Sequence, residues 1–246
     1  MDDLREHPQI EELLETLDKN EMQKEKAEVE SLVDYIGSME TTLTDMLKEM
    51  QEMRKEIDLI HNGTLKAKCL VLVEKTEGGI KQAFAVVVKV KDNLVESAKK
   101  AVKEFKEKGR DAFVKAVRAM KVPETLDKLA GLFVIMSKET KENAKQLSEM
   151  QSELNVGKAH IKNVGRLLTG KLTKDADTVK TDKGILASLG KMHEKISNGF
   201  QSLAQKAMNC ADKIRAAKVR ESVKDALDNL KGIPRGLTRN EPSRDR

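Results

Sequence analysis

From Met22 to Ile60, apolar side chains recur every seven residues in two interleaved series. Met22, Val29, Ile36, Leu43, Met50 and Ile57 form the first; Leu32, Met39, Met46, Met53 and Ile60 form the second, which Glu25 interrupts at its start. Alternating spacings of three and four put both series on one narrow face of an α-helix. At 1.5 Å per residue that helix runs about 58 Å. A stripe of this length has to be covered, so the pattern predicts coiled-coil packing, either folded back on the chain or between subunits. Methionines dominate the second series, and their adaptable packing specifies register weakly.

The same rhythm continues elsewhere. Ile10 to Leu17 reads as a short helix with Pro8 in its first turn, ending near Asn20. His61-Asn62-Gly63-Thr64 reads as a stop and restart, with Asn62 and Gly63 suited to a left-handed cap and Thr64 to capping the next helix. Between 65 and 90, CLVLV and AFAVVVKV are rich in β-branched residues and flank Gly78-Gly79, which leaves a hairpin open. Leu65, Cys69, Leu72, Thr76, Ile80, Phe84, Val87, Val90, Leu94, Ala98, Ala101 and Phe105 nevertheless keep helical spacing, which favours a helix with a weak point at Gly78-Gly79 and a break at Gly109.

Val122-Pro123 opens another helix. Its apolar positions run from Leu126 through Leu129, Phe133, Met136 and Thr140, then through Leu147, Met150, Leu154, Gly157, Ile161, Val164 and Leu168. Residues 170–183 are polar and read as a flexible connection. A last helical region, 184–230, carries Leu186, Leu189, Ile196, Phe200, Leu203, Ala207, Cys210, Ile214 and Ala217 on one face, with a candidate restart at Ser222. Residues 231–246 read as a disordered basic tail. The expected fold is all-α: an elongated helical bundle or coiled coil of about five helices. It comprises an acidic segment 1–61, a basic body 64–169, the connection and the C-terminal helices.

Composition supports this. Of 246 residues, 35% are charged and 2% aromatic, with only 14 Gly and 4 Pro to make turns. That suits long charged helices with thin apolar seams and disfavours a fold of many strands. The net charge of +5 hides a polarity. Residues 1–60 hold 7 Lys/Arg against 18 Asp/Glu, and the remainder holds 39 against 23. An acidic arm packed on a basic body is the favoured use of this polarity, and a basic surface for nucleic acid or anionic lipid is the alternative. Candidate anion or nucleic-acid contacts are Lys99, Lys100, Lys103, Arg110, Lys115, Arg118, Lys162, Arg166 and Lys171. Aromatic platforms for stacking single strands are missing.

Little in the chain resembles catalytic chemistry. GRLLTGKLT, Gly165 to Thr173, fits the opening of a phosphate-binding loop, but helical spacing precedes it where a strand is needed. Leu172 also occupies the position that needs a hydroxyl. Gly170 as a helix cap, with Lys171 near the last carbonyls, accounts for the stretch. His7, His61, His160 and His193 are widely separated, and His193 falls on the apolar rhythm, as a partly buried or boundary side chain. Cys69 and Cys210 lie on apolar faces and read as inert core thiols. No catalytic, cofactor-binding or metal-ligating residue is nominated and no cofactor is expected. The longest apolar run, Ala83 to Val88, is far short of a membrane span, and the reading is of a cytoplasmic protein.

Three segments, AHIKNVGRLLTGK (Ala159 to Lys171), LVDYIGSMETTLTDMLKEMQEMRKEI (Leu32 to Ile57) and AKKAVKEFKEKGRDAF (Ala98 to Phe113), together resemble a family catalogued as a domain of unknown function. That family occurs on conjugative and other mobile elements of Gram-positive gut bacteria. The resemblance covers roughly residues 10–230. It implies a helical accessory protein of a mobile element and carries no assigned activity. The expectation is a non-enzymatic interaction or scaffold protein, whose partner or second copy would pack on the 22–60 helix; the alternative is a nucleic-acid-binding factor in element transfer or maintenance.

Overall fold

The computed structural model describes residues 4–174 and 184–231, with side chains through residue 216. Six α-helices follow a short 3-10 turn at Leu4–Glu6. They are α1 Pro8–Lys19, α2 Gln23–Asp58, α3 Gly63–Lys108, α4 Arg110–Arg118, α5 Val122–Leu168 and α6 Ile185–Lys231. Among the described residues there is no strand. The hairpin alternative for 65–90 is therefore replaced by one helix.

Four long helices make the body. Cross-links between them give their directions. Arg54 of α2 pairs with Glu77 of α3 at 2.7 Å and Glu40 with Lys91 at 3.2 Å, so α2 and α3 run antiparallel. Asn143 of α5 donates to Thr76 Oγ1 of α3 at 2.8 Å, and a Cβ at Gly79 would stand 3.0 Å from Met136 Sδ, which makes α3 and α5 antiparallel. Phe133 stacks on Phe200 at 6.0 Å, and Asp127 pairs with Arg215, which orients α6 against α5. Tyr35 donates to the Leu203 carbonyl at 2.6 Å and Ser188 to Glu56 at 2.9 Å, which closes the ring between α6 and α2. The result is an up-down-up-down bundle around one apolar core.

The heptad face of α2 lies inside that core. All eleven seam residues are buried, none more than 8% exposed. Of the two arrangements open from sequence, the seam is folded back on the chain's own helices. Each fully buried Leu, Ile or Met contributes about 1.5–3 kcal/mol. The acidic and basic segments interleave in the same bundle: Glu12 pairs with Lys106, Glu40 with Lys91 and Glu49 with Lys195.

Local signals set the ends. His7 caps α1, its Nδ1 accepting from the Gln9 N–H, with Pro8 at the first helical position. The cap of α3 is Asn62, whose side-chain oxygen accepts from the Leu65 N–H at 3.0 Å; Asn62 is extended at φ −76 and Gly63 and Thr64 lie inside the helix, so neither the left-handed cap nor the Thr64 cap forms. Gly78-Gly79 is no weak point: the helix runs through it, and the missing Cβ of Gly79 makes room for Met136. Gly109 does break the helix, at φ +80, a backbone conformation that costs glycine little. The turn folds Phe113 back onto Phe105, rings 5.4 Å apart. α6 continues through Ser222 without the expected restart. Residues 175–183 of the connection and 232–246 of the tail lie outside the described residues.

The two ends of the bundle differ. At one end α1 and α4 close the core, and Leu13, Leu17 and Phe113 are fully buried. The other end holds the α2–α3 turn, the start of α6 and the last turns of α5.

Truncating the seam should be costly. Leu43→Ala should lose about 2–5 kcal/mol of unfolding free energy, read by urea denaturation. Leu59→Ala, at a side chain 63% exposed, should change stability by less than about 0.5 kcal/mol.

Candidate interaction surface at the open end

α5 outruns its neighbours. α6 begins beside Gln151, since a Cβ at Gly184 would lie 3.3 Å from Gln151 Oε1. Beyond Leu147 the only buried residue of α5 is Asn155, to which Gln151 donates at 2.9 Å. From Asn155 to Leu168 the helix projects about 20 Å past the bundle. The heptad row that carries Phe133, Thr140 and Leu147 inside the core continues on this projection as Leu154, Ile161 and Leu168. There it is uncovered: Ile161 is 74% and Leu168 84% exposed, with Val164 and Leu167 beside them.

The helix ends in a Schellman turn. Gly170 sits at φ +71, its N–H bonds the Leu167 carbonyl at 3.0 Å, and the Lys171 N–H bonds the Arg166 carbonyl at 2.9 Å. The stretch that mimics a phosphate loop is thus a helix C-terminus, and two of its N–H groups are consumed by the helix's own carbonyls. The chain then turns back along α5. Asn163 clamps the backbone of Lys174, donating to its carbonyl at 2.6 Å and accepting from its N–H at 2.9 Å. Arg166 Nε donates to the Leu172 carbonyl at 2.6 Å.

Between the projection and the end of the bundle lies an open cleft of about 910 Å³. Its apolar lining includes Leu59, Ile60, Leu65, Leu154, Ile185 and Leu186. Along its α5 wall Lys158, Lys162 and Arg166 recur every four residues, joined by Lys174 from the returning segment and His61 from the α2–α3 turn. No Asp or Glu is among the described lining residues, although the chain has 41. The first turns of α3 and α6 also border the cleft, and helix N-termini carry positive partial charge. Lys174 and Gly184 stand at its edge; the residues joining them lie outside the described residues.

The nine candidate anion contacts do not form one surface. Lys99, Lys100, Lys103, Arg110, Lys115 and Arg118 are exposed at the closed end, where neighbouring lysines are matched by acids such as Glu104, Glu107 and Glu12. Lys162, Arg166 and Lys171 belong to the open end, more than about 50 Å away along α3 and α5. Only Lys162 and Arg166 of the nine line the cleft, and Lys158 and Lys174 join them. The sequence signal for this site is the run from Leu154 to Lys174, which contains no carboxylate.

The remaining titratable candidates are internal. Burial pushes the Cys69 and Cys210 thiols above their usual range. His193 goes beyond the boundary position expected of it: it is fully buried, and its Nδ1–H donates to the Leu189 carbonyl at 2.9 Å. Burial holds its pKa below the usual imidazole value. Among the described residues no group of His, Cys, Asp and Glu could hold a metal ion, and no helix is long and apolar enough to cross a membrane.

A family model described as a family of unknown function, DUF6674, matches residues 6–246, and the chain belongs to that family. Neither a curated protein nor a solved structure matches the chain.

Burial of His193 predicts a pH dependence of stability. The unfolded chain takes up a proton on this side chain below about pH 6.5 while the folded chain resists it, so stability falls with pH from there. The slope approaches about 1.4 kcal/mol per pH unit. Denaturation at pH 7.5 and 5.5 should show a smaller loss in His193→Gln than in the wild type; equal losses would contradict the assignment.

Proposed function

We propose that this DUF6674 chain is a non-enzymatic helical accessory protein that binds a helix of a partner protein along the projecting end of α5. The observation that carries the reading is one heptad row with two fates. It is buried by the chain's own helices up to Leu147 and uncovered from Leu154 to Leu168. A seam that continues in register beyond its cover is the arrangement another helix would extend by coiled-coil packing. The 22–60 seam, by contrast, is already filled from within. The proposed setting is the cytoplasm of a cell carrying a mobile element. It is supported by the resemblance of the Ala159–Lys171 segment, in this projection, and of Leu32–Ile57 and Ala98–Phe113 to proteins of such elements.

A second reading, a nucleic-acid-binding factor in element transfer or maintenance, is favoured by one observation. Leu154 to Lys174 holds five Lys or Arg and no carboxylate. The exposed aliphatic row on the same projection fits a protein partner better.

The tagged chain and its Ile161→Ser/Leu168→Ser variant, recovered from the organism that encodes it, discriminate. At least one protein should accompany the wild type and fall tenfold or more with the variant in quantitative mass spectrometry. Because both side chains are exposed, the variant should melt within a few degrees of the wild type. Identical recovery from both chains would refute the reading.

A further inference from the structure

We propose that the cleft under the α5 projection is a docking site for a short acidic amphipathic segment of a partner protein. It takes carboxylates on Lys158, Lys162 and Arg166 and aliphatic side chains against Leu59, Leu154 and Ile185. The proposal deepens the interaction reading above and rests on it, but concerns a different surface from the Ile161–Leu168 row.

Three observations select this occupant. The first is charge. The wall presents three cations at four-residue intervals, about 6 Å apart along the helix, and among the described lining residues no carboxylate faces them. Glu or Asp at i, i+4 and i+8 of a helical partner segment repeats at the same interval, so each carboxylate meets one cation. The second is the mixed lining. Leu59, Leu154 and Ile185 line the cleft together with the cations, so a segment that carries both carboxylates and aliphatic side chains can meet both. The third is size and composition. A cleft of about 910 Å³ falls in the range that encloses a short segment or small molecule, too small to embrace a duplex. No aromatic residue is among its described lining, so a single strand would find no stacking platform there.

A second copy of the chain is a poorer occupant of the same cleft. Pairing two open ends through it would bring two carboxylate-free cationic walls together.

Selection from a displayed library of random twelve-residue peptides tests the site without a known partner. Peptides recovered on the full-length wild-type chain should be enriched in Asp or Glu together with Leu, Ile, Val or Phe. Their affinity should fall at least tenfold on Lys158→Glu/Lys162→Glu and weaken with added salt. Both lysines are exposed, so the variant's circular-dichroism melt should match that of the wild type. A milder Lys158→Gln/Lys162→Gln variant should give an intermediate affinity. The inference is overturned if no acidic consensus emerges, or if the charge reversal leaves peptide binding intact. It is equally overturned if the reversal abolishes binding to a 20-base-pair duplex, a 20-nucleotide single strand or vesicles of phosphatidylserine and phosphatidylcholine while peptides do not bind. Failure here, with partner recovery still dependent on Ile161 and Leu168, would remove the cleft and leave the interaction reading standing. Loss of that dependence, with acidic peptides still selected, would do the reverse.

Discussion

Burial of the α2 seam is the interaction on which the remaining structure depends. α2 spans 36 residues, while α3, α5 and α6 span 46, 47 and 47. The shortest long helix sets the length over which four helices can share one core, and every longer helix must do something with its excess. α3 spends its surplus at the closed end, where α1 and α4 pack and the Phe105–Phe113 pair seals the corner. α5 carries its surplus to the open end, where no other described helix follows it.

This mismatch creates both surfaces at the open end. On one side of the projection the heptad row leaves the core and becomes an aliphatic ridge. On the side facing the cleft, the positions that follow the buried ones carry Lys158, Lys162 and Arg166 instead of leucines. The Asn163 clamp and the Schellman turn at Gly170 hold the returning segment against the helix. The wall of the cleft is therefore built on a regular helix with fixed backbone geometry, which suits recognition better than a loop would. The closed end has as many lysines, but they alternate with glutamates along the helix and pair with them, so no comparable field builds up there.

Much of the fold was legible because helical periodicity is a local property. The Met22–Ile60 seam, the break at Gly109, the Pro8 and Val122-Pro123 starts and the Gly170 cap each follow from a few neighbouring residues. What covers the seam is not local. Periodicity assigns Leu147 and Ile161 the same face of one helix, yet the first is fully buried and the second exposed. That difference comes from where α6 and α3 begin, which no residue of α5 encodes. For the same reason the cationic candidates could be collected from the sequence but not partitioned: Lys103 and Lys162 look alike until the bundle places them at opposite ends. Gly78-Gly79 misled because two adjacent glycines suggest a flexible point, whereas Gly79 serves a close approach to Met136.

The bond from Tyr35 to the Leu203 carbonyl spans 168 positions of sequence. Its consequence is temporal. α2 and α3 are joined by a short turn and can zip together as soon as both have been synthesised. The face of α2 that α6 covers must wait until the last long helix leaves the ribosome. At 5–20 residues per second that interval is on the order of 10–30 s. During that interval the part of the Met22–Ile60 seam that α6 covers stays open to water.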